Sequence, residues 1–481
     1  MINESPDPTA IHWHGLRQQS SIEMDGVPGV TQCPILPNKS YVYRFSTKDQ
    51  VGTFWYHSHH AMQYADGLKG VLIIQDPADP WQTFYDDEEI LQLTDWYHQP
   101  AQITLIPYIN PGIPDPIADT GLINGIGQFK CSPLKNCSYY RASIRQNTTK
   151  RFRIINTSAY ATITLTIDQH AMRVIEADGI YLDGQTIVRS LRLSAGQRYS
   201  VLVTSLSDHV SSYWIRATLH STADFNGLYI APIQPNVSAI LHYVTDSLNI
   251  NEPLIIPSIE TFNNDNDLIE KSFKESEISI DQDDLVVMNI HENKLVQSSQ
   301  VKTFLFNGNF LPGNQPGFLY NNTMFVHPGN RTLLSSVLAD NEHEIRSPIH
   351  NFIERGDVID IIINNIDYGS HPMHLHGHHV WILALGKANE GYINATTSEY
   401  LNYNLVNPMY RDTFTVNPFS YVVFRFVADN PGIWMMHCHN DWHLQIGMAM
   451  VFIESSQAIK QMYQKQSTIE SVFSICPSLH H

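Results

Sequence analysis

The sequence predicts an all-β chain of three Greek-key β-sandwich domains, the first of them N-terminally truncated. Three observations carry that expectation. Short runs of alternating apolar and polar residues recur along most of the chain, bounded by Gly, Pro and Asn turns. Such alternation with such punctuation marks half-buried strands in sandwiches and barrels. A length of 481 residues exceeds one ordinary core and fits about three domains. Histidines spaced His-x-His occur in both terminal thirds and not in the middle one, so two similar ends flank a different centre.

Composition narrows the function classes. Hydrophobic residues make up 43% and charged residues 16%, which excludes a disordered chain. The formal charge of −18 argues against nucleic acid and anionic membrane as partners and favours cationic or neutral substrates. No apolar run in these residues is long enough to span a bilayer.

Residues 1–80 form the expected first domain. TAIHWHG places His12 and His14 on one face of a strand, and SYVYRF (Ser40 to Phe45) alternates. GTFWYHSHHAMQYADGLKGVLIIQDP reads as strand, His57 and His59, loop, strand. A complete barrel needs more strands than the residues before His12 supply, so the opening strands, and a signal peptide with them, are expected to be missing. The Pro-flanked DPADPW (Asp76 to Trp81) closes the unit. Residues 81–245 carry the strands EEILQLTDW, RFRIINT, ATITLTI, MRVIEADG and RYSVLVTS, with only scattered histidines; this domain is expected to be structural. Residues 246–284 are polar and aperiodic, a surface linker. Residues 285–481 hold VKTFLFNG, DVIDIIINN, HVWILALG, YVVFRFVA and MAMVFIE, and a short helix is expected at Ser456 to Gln466.

Two histidine-rich stretches lie in that third domain: HPMHLHGHH (His371 to His379) and WMMHCHNDWHLQIGMAM (Trp434 to Met450). Successive side chains on a strand face opposite ways, so His437 and His439 share one face and Cys438 the other. One strand can then serve two metal sites back to back. His12, His14, His57, His59, His374, His376, His437 and His439 make four His-x-His pairs, two from each end of the chain. Imidazole suits copper, zinc and iron, and eight imidazoles suit a cluster of three ions. His371 stands at odd spacing from His374 and His376 and so faces the side of Cys438. His371, Cys438, His443 and an axial Met448 then make the His2Cys set with a weak thioether that defines a blue-copper centre.

With Cys438 assigned to metal, four cysteines remain. Cys131 and Cys137 bracket a short loop and are placed to pair locally, which leaves Cys33 to pair with Cys476. Such bonds persist in oxidising compartments. Sequons at Asn3, Asn38, Asn136, Asn147, Asn156, Asn236, Asn321, Asn330 and Asn394 fit a secreted, extracellular glycoprotein.

HWHG, HSH, HPMHLHGH and HCHNDWHLQIGM, in that order, resemble the four copper-binding signatures of the multicopper oxidases, the laccases, ascorbate oxidases and ferroxidases. The resemblance covers essentially the whole chain and implies three cupredoxin domains holding four copper ions: one type 1, one type 2 and a type 3 pair. It implies that His12 and His374 hold the type 2 ion, and that His14, His57, His59, His376, His437 and His439 hold the type 3 pair. It further implies one-electron oxidation of a donor at the rim formed by His371 and His443, transfer through Cys438, and reduction of dioxygen to water. Asp66 and Asp441 match acidic positions that carry protons in relatives. Glu176 and Asp367 match substrate carboxylates of iron-oxidising relatives, while a third acid of that set is replaced by Asn289 or shifted. Tyr97 in DWYH departs from the Trp of ascorbate oxidases. The sequence therefore favours a laccase-like oxidase of phenols and diphenols, with ferroxidase and L-ascorbate oxidase as alternatives. A non-catalytic copper-binding or electron-transfer protein, or an inactive fragment, is the alternative from another class.

Overall fold

The computed structural model describes the chain except for residues 111–112, 132–136, 207–211, 222–230, 245–293, 312–316, 327–330, 342–348, 395–401, 465–475 and 477–481. The expected linker and Asn289 fall outside the described residues. Those described form β-sheets with a few short helices.

A three-stranded antiparallel sheet of Ile11–His14, Gly52–Ser58 and Lys69–Ile74 comes first. Its register sets His12 opposite His57, so the two histidine pairs of this unit lie on neighbouring strands. The run Ser40 to Phe45, expected as a strand, forms no ladder beyond an isolated bridge from Ser40 to Ile2. Its alternation has another cause: Tyr43 and Phe45 pack on the Trp13 indole at 5.5 and 5.2 Å between ring centres. Beyond the main-chain hydrogen bonds that Tyr41 exchanges with Met1, period two here reports side-chain packing.

The middle region folds into two sheets. Asp87–Trp96, Thr149–Asn156, Arg198–Thr204 and Met172–Ala177 are among the strands of one. Thr162–Ile167, Ser212–His220 and Asn236–Val244 are central in the other. The C-terminal region repeats the arrangement, with Val301–Phe310, Val358–Asn365 and Ser420–Val427 in one sheet. Its second sheet runs Ile349–Ile353, Ala449–Glu454, Gly432–Cys438, His371–Leu375, Thr413–Val416. Every residue of Gly432–Cys438 is buried, so this central strand has packed chain on both faces, which is why it reads GIWMMHC without a polar alternate.

Three devices join the regions. A disulfide links Cys33 to Cys476, and another closes Cys131 to Cys137. The helix Leu333–Leu338 donates the amides of Leu333 and Leu334 to the carbonyls of Gly29 and Val30. The third device is an ion-pair network around Glu176. This carboxylate is fully buried, pairs with Arg151 and Arg153, and accepts from the Thr53 amide at 2.7 Å and the Ser200 hydroxyl at 2.6 Å. Glu176, expected near a donor site, is instead a strut between the first sheet and the middle region. Two expected sequons are corrected for a similar reason. Asn3 and Asn156 are buried and spend their amide nitrogens on main-chain carbonyls, whereas Asn38, Asn147, Asn321 and Asn394 are exposed.

Burial opposes the charge of Glu176, but Arg151 and Arg153 outweigh it and hold the carboxyl down at about 2. A depressed pKa contributes stability above the ordinary glutamate value of about 4.3, and that contribution is lost as pH falls toward the folded value. Glu176→Gln should therefore cost about 3–5 kcal/mol at neutral pH by leaving buried guanidinium unpaired. Denaturant unfolding at pH 7 and pH 3 checks this: the deficit relative to wild type should be smaller at the acid end.

Candidate metal centre

The strand Gly432–Cys438 pairs with His371–Leu375 so that His374 lies opposite His437 and Met373 opposite Cys438. After Cys438 the chain turns into the short helix Asp441–Gln445, started by the Asn440 side chain accepting from the Trp442 amide. That single turn carries His443 back to the face of Cys438.

On one face stand His12, His14, His57, His59, His374, His376, His437 and His439, each buried. His376 Nε2 and His437 Nε2 are 3.1 Å apart, and His59 Nε2 is 3.4 Å from His437 Nε2. His14 Nδ1 and His439 Nε2 approach to 3.1 Å. The rings of His12 and His376, and of His14 and His374, stack at 3.9 and 3.8 Å. Outer nitrogens are anchored: His12 Nδ1 on the Asp25 carbonyl, His57 Nδ1 on that of Ser58, His374 Nδ1 on that of Asp412 and His437 Nδ1 on that of Cys438. His376 Nδ1 is held by Asp25 Oδ2 at 2.8 Å. Inner nitrogens are another matter. The Nε2 atoms of His12, His57 and His374 are buried and have no hydrogen-bond partner. Buried polar atoms are ordinarily paired, so inward lone pairs with anchored outer nitrogens fit a set of metal ligands.

Electrostatics agree with that fit. Burial lowers the pKa of His14, His57, His374, His376 and His439 well below the usual histidine value, reinforced by their neighbours, and takes His437 to about 4. These imidazoles are neutral, the form that binds metal. Donor atoms in the triads His12, His374, His376; His12, His14, His57; and His59, His376, His437 lie within 4.8 Å of one another.

On the other face His371 Nδ1 and His443 Nδ1 each stand 3.7 Å from Cys438 Sγ and 3.2 Å from each other. Cys438 is buried and in no disulfide, and burial pushes its thiol up. Met448 is buried beside it, its carbonyl accepting from the Cys438 amide at 3.1 Å. Each histidine turns its Nε2 outward to a carboxylate. His371 Nε2 donates to Asp367 at 2.9 Å and His443 Nε2 to Asp115 at 3.0 Å. Burial disfavours a charged His443, yet Asp115 prevails and lifts it to about 9. Each carboxylate takes the Nε2–H, so of the two neutral tautomers the one with its lone pair on Nδ1, toward the sulfur, is the one favoured for a metal ligand.

The acids sort differently from the sequence expectation. Asp441 lines a cavity of 10 Å³ with His57, His59, His437 and His439, room for about one water, and burial pushes its carboxyl up to about 7. Asp66 does not join it: it is exposed and accepts from the Ala101 amide, where it starts the helix Ala101–Tyr108. Asp367 is at the rim and Glu176 is not. Asp25, Asp115 and Asp412 were missed. Asp25 and Asp412 sit in MDGVPG and YRDTF without a metal-ligand spacing, and Asp115 sits in a Pro-rich loop. His378 and His379 pair with Glu454 and with the Asp178 carbonyl.

The family described as multicopper oxidase matches the chain at residues 1–79, 87–246 and 320–458. The iron transport multicopper oxidase fio1 of Schizosaccharomyces pombe is 35% identical over 472 residues, spanning 94% of this chain and 68% of that protein. Laccase-1 of Cryptococcus neoformans var. grubii is 31% identical over 499 residues, spanning 97% and 75%. Among solved structures, Fet3p, described as a multicopper oxidase that functions in iron import, superposes with TM-score 0.78 at 27% identity, covering 97% of this chain and 84% of its own. A laccase from Botrytis aclada superposes with TM-score 0.74 at 29% identity, covering 95% and 80%.

Replacing the thiol separates the two faces. Cys438→Ser should abolish the intense blue thiolate absorption of the copper-loaded protein while leaving metal at the histidine cluster, one ion fewer per chain by elemental analysis. Loss of all metal instead would show that the faces do not load independently.

Proposed function

The chain belongs to the multicopper oxidase family, copper-dependent oxidoreductases with dioxygen as acceptor, and we propose that its electron donor is ferrous iron. In this reading His371, Cys438, His443 and Met448 hold the type 1 copper, His12 and His374 the type 2, and the other six histidines the type 3 pair. Copper held by these residues would supply one-electron acceptance and the four-electron reduction of dioxygen, in which four ferrous ions and four protons give four ferric ions and two waters.

One observation supports iron. Both histidines of the sulfur site present Nε2 to a carboxylate, Asp367 and Asp115. Carboxylate oxygens suit hard cations, and Fe(III), the harder product, gains more from them than Fe(II) does. Each carboxylate is joined by a hydrogen bond to a ring that faces Cys438, a short route for an electron. Their side chains are 3% and 5% exposed, so the route opens narrowly to solvent, and the net charge of −18 draws cations toward it. Tyr108 and Tyr160 donate to Asp115 at 2.9 and 3.4 Å, and His443 beside it keeps its carboxyl below the usual range despite burial. Asp115 is thus held ionised and aimed.

Cys438 is bonded along the main chain to both His437 and His439, so one strand connects the two clusters. Asp441, at the cavity beside the histidines, is the side chain best placed to hold a proton for the oxygen side. The disulfides and the exposed sequons support an oxidising, secretory compartment. Among the described residues no helix is long and apolar enough to cross a membrane.

A second reading, oxidation of phenols, draws on the helix that ends at Tyr108: Ile103 and Ile106 are 52% and 67% exposed, an apolar approach to Asp115. Ascorbate is less favoured, because Tyr97 is turned inward and accepts from the Trp442 indole at 3.2 Å.

Steady-state turnover of one preparation on ferrous iron, a diphenol and ascorbate ranks the donors. Asp115→Ala and Asp367→Ala should each lower kcat/KM for ferrous iron by at least about 10-fold, roughly 1.4 kcal/mol for a lost charged contact. The diphenol should lose much less. Equal losses on both donors would rule out a specific iron role for these acids.

A further inference from the structure

The middle region contributes no histidine to the cluster, yet its turn from Ser194 to Arg198 lies against it. We propose that this turn is a brace for the trinuclear site, and that Arg198, through Asp412, orients His14 so that Nδ1 rather than Nε2 faces the metals. The inference rests on the copper-ligand reading above and adds to it a positioning residue from the region without ligands.

The geometry runs from the guanidinium inward. Arg198 is fully buried at the start of the strand Arg198–Thr204. Its Nη1 and Nη2 grip Asp412 Oδ1 and Oδ2 at 2.7 and 2.8 Å, and its Nε donates to the Thr53 carbonyl at 3.0 Å. Asp412 Oδ1 also faces His14 Nε2 at 3.2 Å and accepts at 2.8 Å from the Thr413 hydroxyl, whose oxygen itself faces His14 Nε2 at 3.1 Å. Asp412 lies close enough to His14 and His374 to be taken for a ligand itself. With its oxygens held by Arg198, Asp412 instead stands, together with the Thr413 hydroxyl, as the acceptor for His14 Nε2–H. His14 is thereby left with its lone pair on Nδ1, 3.1 Å from His439 Nε2. His12, His57, His374, His376 and His437 are anchored the other way, through Nδ1.

Two glycines carry independent witness to the brace. Gly15, in HWHG, has φ +87, and a Cβ there would overlap Arg198 Nη2 and Asp412 Oδ2. Gly196, in the turn, has φ +88, and a Cβ would stand 2.8 Å from His439 Cδ2 and 3.1 Å from His14 Cε1. The main chain of the middle region therefore touches two rings of the cluster. Gln197 Nε2 donates to the Thr413 carbonyl at 3.2 Å, and Ser194 Oγ is 2.9 Å from Thr415 Oγ1, so the turn is fastened to the strand Thr413–Val416 that carries Asp412's neighbours.

Copper retention on the full chain tests this. Each variant is loaded, dialysed against a chelator, and read by copper per chain, the blue thiolate band and the type 2 and type 3 spectroscopic signals. Arg198→Met should keep the blue band and retain copper at the cluster roughly 10- to 100-fold more weakly, the range seen when a residue behind a ligand is lost. Arg198→Lys should recover part of that loss. Arg151→Met is the control, since Arg151 is equally buried in an ion pair with Glu176 but lies outside the proposed brace. It should weaken the fold to denaturant and still retain the full copper complement. If Arg198→Met does not fold, Asp412→Asn decides: the amide keeps an oxygen acceptor without the ion pair, and cluster copper should again be held more weakly with the blue band intact. Wild-type retention in Arg198→Met or in Asp412→Asn overturns the brace, as does equal copper loss in Arg151→Met. A wild-type chain that binds no cluster copper would instead overturn the ligand reading itself.

Discussion

Eight buried imidazoles crowded together, with the Nε2 atoms of His12, His57 and His374 left without hydrogen-bond partners, are the constraint around which the chain is arranged. Unpaired buried nitrogens are costly, so the arrangement persists only if their geometry is over-determined from outside and a metal satisfies them from inside. The outside part is visible residue by residue. Main-chain carbonyls of Asp25, Ser58, Asp412 and Cys438, and the carboxylate of Asp25, each take an outer ring nitrogen. Rings anchored in this way do not need to reorganise when metal arrives.

Cys438 connects this cluster to the sulfur site because it shares a strand with His437 and His439 while facing the other way. The helix Asp441–Gln445 returns His443 to the sulfur, and the odd spacing of His371 brings it from the neighbouring strand. Around this second site both outward nitrogens meet carboxylates, whereas the cluster is anchored mostly by carbonyls. A carbonyl only orients a ring. A carboxylate both orients it and places a negative charge behind it, and at the sulfur site both histidines have such a partner, Asp367 and Asp115.

Much of this was legible from spacing. Period-two placement of the histidines needs only local strand geometry, and the strands Thr149–Asn156, Val358–Asn365 and Ser420–Val427 declare themselves by apolar content. Legibility ended where side chains meet across regions. Ser40 to Phe45 alternates without forming a strand, because alternation records burial and not hydrogen bonding. Glu176 looked like a donor-site acid, and its neighbours Arg151 and Arg153 consume it. Asp66 looked like a proton carrier and is spent at a helix start. Asp115 carried no signal, since nothing local distinguishes an acid that will meet a histidine more than three hundred residues away.

The sequence by itself determined which side chains share a face, because the direction of successive residues on a strand is set by covalent geometry. It thereby determined that one cysteine would stand back to back with two histidines. Only the tertiary structure decided which ring nitrogen points inward and which acids stand at the rim. Those depend on partners such as Arg198, Asp412, Asp115 and Asp25, whose distances to the histidines exist only once three separate regions have packed.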